Sequence, residues 1–183
     1  MKLMEKHTNL VWIDLEMTGL NPEQDTILEI ATLITNSDLD MIEIGPEIAV
    51  SQSDHVLETM NDWCKEHHGK SGLTEKVRQS TISLEEAEAV TLKFVKKHTP
   101  FEEAPLCGNS IYQDRRFLAK YMPRLNSHLH YRNIDISSVK ELALRWYPTL
   151  PKFEKANKHT ALEDILESLE ELRYYRERLF KEN

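Results

Sequence analysis

Cysteine is nearly absent: only Cys64 and Cys107 occur, with no C-x-x-C spacing. Two thiols cannot build a disulfide framework or a thiolate zinc site, so both are expected to be reduced and unpaired. Long apolar runs are also missing. None approaches the roughly 18 residues of a membrane span, and Met1 to Asn9 carries charges where a secretory leader needs an apolar stretch. The expected location is the cytoplasm, with no membrane contact. Glycine and proline are few, 5 and 7 in 183 residues, which excludes a fibrous or low-complexity chain. Positive charge is in deficit, with 23 Lys and Arg against 31 Asp and Glu. A net charge of -8 argues against a protein that grips long duplexes, because neutralising many phosphates calls for a broad basic surface.

What is present, 40% hydrophobic and 30% charged residues, is the composition of a packed globular chain, and one domain over residues 1–183 is expected. Asn9 to Glu16, NLVWIDLE, starts as a short apolar run of the kind buried on both faces of a sheet, and reads as a central first strand. Ile27 to Thr35 and Met41 to Val50 are β-rich and separated by the turn-formers Asn36, Ser37 and Asp38, which suggests an antiparallel meander.

Ser83-Leu84-Glu85-Glu86 has capping-box spacing and opens a helix to about Lys97. Pro105 to Gly108 reads as a strand, Gln113 to Tyr121 as a helix, and Tyr131 to Ile136 as a last strand. Ser138-Val139-Lys140-Glu141 is a second capping box for a helix that Pro148 stops after Trp146. The C-terminal helix runs from Ala161 to about Phe180, with Leu162, Ile165, Leu166, Leu169 and Leu172 on one stripe. This order predicts an α/β fold with a mixed sheet.

The carboxylates are the informative residues. Alternation along the first strand puts Asp14 and Glu16 on one face, roughly 7 Å apart. They could share a cation, or simply close a solvated strand end. Asp114 precedes Phe117, Leu118 and Tyr121 at three, four and seven residues, so it lies on the apolar face of its helix. A carboxylate there must be paired, neutralised or metal-bound, and Arg115 and Arg116 leave the helix in other directions. Thr160-Ala161-Leu162-Glu163 is a further capping box, which makes His159 the residue before the cap and Asp164 the fourth helical residue. Those two positions normally hold an apolar staple. A histidine beside a carboxylate gives up that packing, which points to chemistry. Four hard oxygen donors suit Mg²⁺ or Mn²⁺ rather than zinc. Two such ions can clamp the attacking and leaving oxygens of a phosphoryl displacement, and would bring the net charge to about -4. A histidine titrating near neutrality can take a proton from water.

The set Asp14-x-Glu16, Asp114 and His159-x4-Asp164 resembles the DEDDh branch of 3′-to-5′ exonucleases. More closely, WIDLEMTGL, LCGNSIYQDRRF, HYRNIDISSVKEL and the terminal H-x4-D helix resemble the oligoribonuclease family nearly end to end. The resemblance implies a ribonuclease H-like mixed five-stranded sheet flanked by helices, and a homodimer that degrades very short RNA, dinucleotides above all, with two divalent ions. It implies that Asp14, Glu16, Asp114 and Asp164 hold the metals, and that His159 is the general base, with Tyr131 also in the catalytic group. Among substrate-binding positions it implies Thr18, Leu20 as a wedge between the bases and Trp63 in the base pocket. His68, Ser110 and Ser137, with Tyr131 and Arg132 from the partner subunit, would cap the 5′ phosphate and exclude longer chains. Tyr112 departs from the family pattern, which has a smaller residue there. Two rival readings keep much of this: a DNA-directed exonuclease with a longer groove, and a module that binds short nucleotides without cleaving them.

Overall fold

The structure is a computed structural model that describes residues 9–154 and 160–180. Its centre is β1 (Leu10–Met17), where Val11, Trp12 and Ile13 have no exposed surface. An apolar run with no polar alternation can be satisfied only by cover on both faces, and the sheet supplies it. β2 (Ile27–Thr35) pairs antiparallel with β1, and β3 (Met41–Ala49) antiparallel with β2. β4 (Leu106–Gly108) joins the other side of β1 in parallel, and β5 (Asn133–Asp135) follows it in parallel. The order is β3-β2-β1-β4-β5, the expected mixed five-stranded sheet.

Side-chain alternation on β1 divides the core. Val11, Ile13 and Leu15 pack on one side with α4 (Leu84–His98), α5 (Tyr112–Tyr121) and α6 (Pro123–His128). Leu10 and Trp12 pack on the other with α7 (Ile136–Trp146) and α8 (Ala161–Leu179), whose apolar stripe lies on the sheet as expected. Each fully buried side chain of this size stabilises the fold by about 1.5–3 kcal/mol relative to exposure. The buried indole NH of Trp12 is satisfied by donating to Thr35 Oγ1 at 3.1 Å. Cys64 and Cys107 are both buried and unpaired.

Three short helices were not anticipated: α1 (Asp54–Thr59), α2 (Asp62–Lys70) and α3 (Leu73–Gln79). Leu57, Met60, Cys64, Leu73 and Val77 from them cover Leu28 in a small satellite core. Gly72, at φ +78°, makes the left-handed break between α2 and α3. α6 was also unanticipated, and Glu88 on α4 holds its start by accepting from the backbone NH of Arg124 and Leu125.

One expected cap is corrected. α7 begins at Ile136, and its N-cap is Asp135, whose Oδ1 accepts from Ser137 N at 2.9 Å. Ser138 lies inside the first turn. The aspartate that ends β5 captures the free amides first, which also shortens the strand expected over 131–136.

Candidate active site

β1, β4 and β5 run parallel, so their carboxyl ends converge on one rim of the sheet, the usual position for a ligand in α/β folds. The described carboxylates Asp14, Glu16, Asp114 and Asp164 lie at or near that rim. β1 brings Asp14 and Glu16, and the N-terminal turn of α8 brings Asp164 to them. Ligand oxygens of the three lie within 4.8 Å of one another. Thr160 positions this turn as its N-cap, accepting from Glu163 N, while its hydroxyl donates to Glu163 Oε2, and the turn so placed carries Asp164 to the sheet.

Asp114 enters from α5. It is 7% exposed, and its Oδ1 accepts the backbone NH of Leu15 at 2.9 Å, tying α5 to β1 between Asp14 and Glu16. Arg115 and Arg116 turn away, Arg115 to the carbonyls of His130 and Asn126 and Arg116 to Gln113. Asp114 therefore lacks an adjacent arginine as partner.

The electrostatics follow from crowding. Burial, then the charges of Asp114, Glu16 and Asp164, raise the Asp14 carboxyl well above the usual range. Burial, then Asp164, Glu29 and Asp114, push Glu16 up to about 8. Burial pushes Asp114 up to about 7 against the pull of the backbone amides it accepts. Such a cluster repels itself when ionised and is relieved by a divalent cation. Clustered hard oxygen donors of this kind fit a hard divalent cation. Glu29, which the sequence reading missed, faces Glu16 directly across the β1–β2 pair and is itself raised by burial, with Lys76 Nζ 3.6 Å away.

The other candidates surround this cluster. The loop after β1 presents Leu20 with 69% of its surface exposed. That loop is held from all sides: Thr18 Oγ1 donates to Asp25 Oδ1 and accepts from Thr26 N, and Tyr121 OH donates to the carbonyls of Pro22 and Asp25. Gln113 Nε2 donates to the carbonyl of Leu20 itself. Thr18 is thus buried and engaged within the loop. A side chain at position 19 would displace Asp25 from these bonds, because a Cβ added to Gly19 would lie 2.5 Å from Asp25 Oδ2.

α2 carries Trp63, 65% exposed and stacked on His67, and His68, which is 2% exposed. The His68 Nε2–H donates to the carbonyl of Met17 at 2.9 Å, and its Nδ1 lies 3.8 Å from Glu16 Oε2. Burial holds its basicity below the usual histidine value. α2 is thereby locked to the end of β1.

Past β4, Ser110 adopts a left-handed φ of 49°, uncommon for a residue with a Cβ. Its NH donates to Asp135 Oδ1 and Ser137 Oγ, and the two serine hydroxyls are 3.1 Å apart. Strain of this kind persists where surrounding bonds impose it, often at functional positions.

Tyr131 and Arg132 precede β5. Tyr131 is 73% exposed, with the Arg132 guanidinium 5.2 Å from its ring centre. Among the described residues neither side chain is hydrogen-bonded to Ser110, Ser137 or the carboxylates. His159 lies outside the described residues.

A five-stranded mixed sheet with a carboxylate cluster at its parallel rim defines the exonuclease class, and residues 11–172 match the family model described as RNase_T: Exonuclease. The chain belongs, within it, to the oligoribonuclease family. A probable oligoribonuclease of Dictyostelium discoideum is 56% identical over 97% of this chain and 93% of its own length. The oligoribonuclease of Pseudomonas aeruginosa PAO1 is 52% identical over 97% and 99%, and the human mitochondrial oligoribonuclease 55% identical over 94% and 73%. Among solved structures, exonuclease I of Methylocaldum szegediense superposes with a TM-score of 0.69 at 16% identity, covering 95% of this chain and 41% of that one. E. coli exonuclease I in complex with a 5cy-dT13 oligonucleotide gives 0.67 at 17% identity, over 94% and 41%. The chain thus spans about two fifths of those exonucleases, and the likeness is one of fold.

Proposed function

We propose that this protein is a metal-dependent 3′-to-5′ exoribonuclease, a hydrolase that converts very short RNA oligomers, especially dinucleotides, to 5′-mononucleotides. The observation that carries the reading is the carboxylate cluster. Asp14, Glu16 and Asp164 converge within 4.8 Å, and burial and repulsion hold Asp14 and Glu16 above the usual carboxylate range. Asp14, Glu16, Asp114 and Asp164 are the residues that would hold two Mg²⁺ or Mn²⁺ ions. When bound, such ions supply charge stabilisation to the attacking and leaving oxygens of an in-line displacement.

The chain's own residues do the rest. His159 accepts the proton of the attacking water on an imidazole nitrogen. Leu20, held out by its rigid loop, separates the two bases, and Trp63 offers a ring to stack on. Thr18 shapes the loop that carries the wedge. Ser110 and Ser137, with His68 beside Glu16, meet the 5′ phosphate end of the substrate.

Tyr131 and Arg132 act from the second subunit of a homodimer. In favour of this, both lie away from the site of their own chain, and Tyr112 and Leu142 expose apolar surface around a hollow also lined by Ser110, Ser137, Asp135 and Glu141. Arg145 lines the same hollow and pairs with Glu141, and an arginine entering beside it could fork two phosphate oxygens. A phosphate closed off on that side leaves no room for a longer strand.

No described helix is long and apolar enough to cross a membrane. The proposed location is the cytoplasm, which fractionation of the source cells tests. For the activity, 3′-labelled and 5′-labelled RNA oligomers are incubated with Mg²⁺, with and without EDTA. Release of 5′-mononucleotides from the 3′ end, abolished by EDTA, is expected. Release from the 5′ end, or cleavage that survives EDTA, would overturn the reading.

A further inference from the structure

Asp164, Ser168 and Glu171 recur at four- and three-residue steps along α8 and so share one face. Asp164 belongs to the carboxylate cluster. Two turns on, the side chain of Glu171 has 0% exposure, an expensive position for an anion unless it is well partnered. Its partners are donors. Lys140 Nζ lies 3.4 Å from Oε1, Tyr175 OH donates to Oε1 at 3.4 Å, and Asn109 Nδ2 donates to Oε2 at 3.2 Å. Asn109 Nδ2 also donates to Ser168 Oγ at 2.7 Å, and Ser168 Oγ donates to the carbonyl of Asp164 at 2.8 Å.

A carboxylate can only accept, so it fixes which end of the Asn109 amide faces it. The NH2 must point to Glu171, and Asn109 Oδ1 therefore points the other way. There it accepts the hydroxyl of Ser137 at 3.0 Å. With its one proton committed to Asn109, Ser137 Oγ acts as acceptor toward the backbone NH of Ser110 at 2.9 Å. The hydroxyl of Ser110, 3.1 Å from Ser137 Oγ, is then the donor of that bond, and its proton is the one that can turn from Ser137 toward an incoming anion. The polarity of the whole chain, Glu171 to Asn109 to Ser137 to Ser110, is set at its buried end.

We propose that Glu171 is a positioning residue for recognition of the substrate's 5′ phosphate. It orients the two serines through Asn109, and because it shares α8 with Asp164 it also fixes the distance between the phosphate end and the carboxylate cluster. The inference rests on the serine cap proposed above.

The test is Glu171→Gln, which keeps the shape but adds a competing NH2 that reverses the amide chain. Steady-state kinetics are measured on a dinucleotide with a 5′ phosphate and on the same dinucleotide with a 5′ hydroxyl, with Mn²⁺ titration alongside. The variant is expected to raise KM about tenfold for the phosphorylated substrate, the worth of one well-oriented hydrogen bond to an anion. The kinetics on the hydroxyl substrate and the Mn²⁺ affinity should stay unchanged. Equal loss on both substrates, or no loss on either, overturns the proposal. Should Glu171→Gln fail to fold, Asn109→Ser removes the amide that carries the polarity from Glu171 to Ser137 and is judged by the same split. If the wild-type protein itself does not distinguish the two substrates, the serine cap is what fails, and the proposal falls with it.

Discussion

Asp14 and Glu16 bear the electrostatic cost of this site, and that cost has a measurable sign. Glu16 titrates near 4.5 when unfolded and at about 8 in the fold, and Asp114 moves from 3.8 to about 7. The folded state therefore holds more protons than the unfolded chain across this window. Stability from these groups is full below the unfolded values and is lost as pH rises through the folded ones. In EDTA the melting temperature is expected to fall between about pH 5 and pH 8.5, and Mg²⁺ should recover most of the loss at the alkaline end. A melting temperature that rises over that range in EDTA would contradict the assigned repulsion.

Asp14→Asn removes an ionisable carboxyl from the cluster. It should raise the melting temperature in EDTA at alkaline pH, abolish the gain from Mn²⁺, and lower hydrolysis by about a thousandfold, the several kcal/mol a lost metal site withdraws. Retained Mn²⁺ stabilisation would exclude Asp14 from the site. Much of this was legible in the residues: strand alternation paired Asp14 with Glu16, helical spacing put Asp114 on an apolar face, and a cap placed Asp164. Glu29 was not, because only the β1–β2 register puts it opposite Glu16, and a single chain's pattern does not state register.

At the scale of elements, α8 does most to assemble the site, since its first turn must arrive beside the end of β1. Thr160→Ala removes the N-cap hydroxyl and should cost about 1 kcal/mol of stability. Because Asp164 sits in the turn it caps, Mn²⁺ affinity should weaken as well. Ser83→Ala, at the complete capping box of α4, should cost a similar amount and leave Mn²⁺ affinity intact. Calorimetry and Mn²⁺ titration of both variants separate a local effect on the site from a general loss of stability; equal affinities would contradict the role given to the α8 cap.

The same scale shows where pattern runs out. β1, β2 and α8 announce themselves because long apolar stripes dominate their sequence. α1, α2 and α3 are short and polar, held by caps at Ser53 and Asn61 and by scattered apolar residues such as Leu57, Met60 and Cys64. Those caps were signals that could have been used. Asp135 prevailed over Ser138 as the α7 cap because the first side-chain acceptor at a strand end takes the free amides.

For the whole molecule, the assignment of Tyr131 and Arg132 to the neighbouring subunit makes complementation possible. Asp14→Asn protomers keep an intact Arg132 to lend, and Arg132→Ala protomers keep an intact carboxylate cluster. Each homodimer should hydrolyse dinucleotides poorly, while mixing the two should recover activity in the hybrid. No recovery, with hybrid formation shown by mass, would place Arg132 in its own chain's site or outside the reaction.

With a carboxylate-held metal proposed at one end of this site and a closed phosphate cap at the other, substrate length separates the two. The decisive measurement is the initial rate of hydrolysis with Mg²⁺ for RNAs from two residues upward, each at equal concentration, with a single-stranded DNA oligomer beside them. The dinucleotide is expected to be cleaved fastest, with rates that fall with each added residue. Faster cleavage of long RNA or of the DNA strand would leave the carboxylate chemistry standing and contradict the cap.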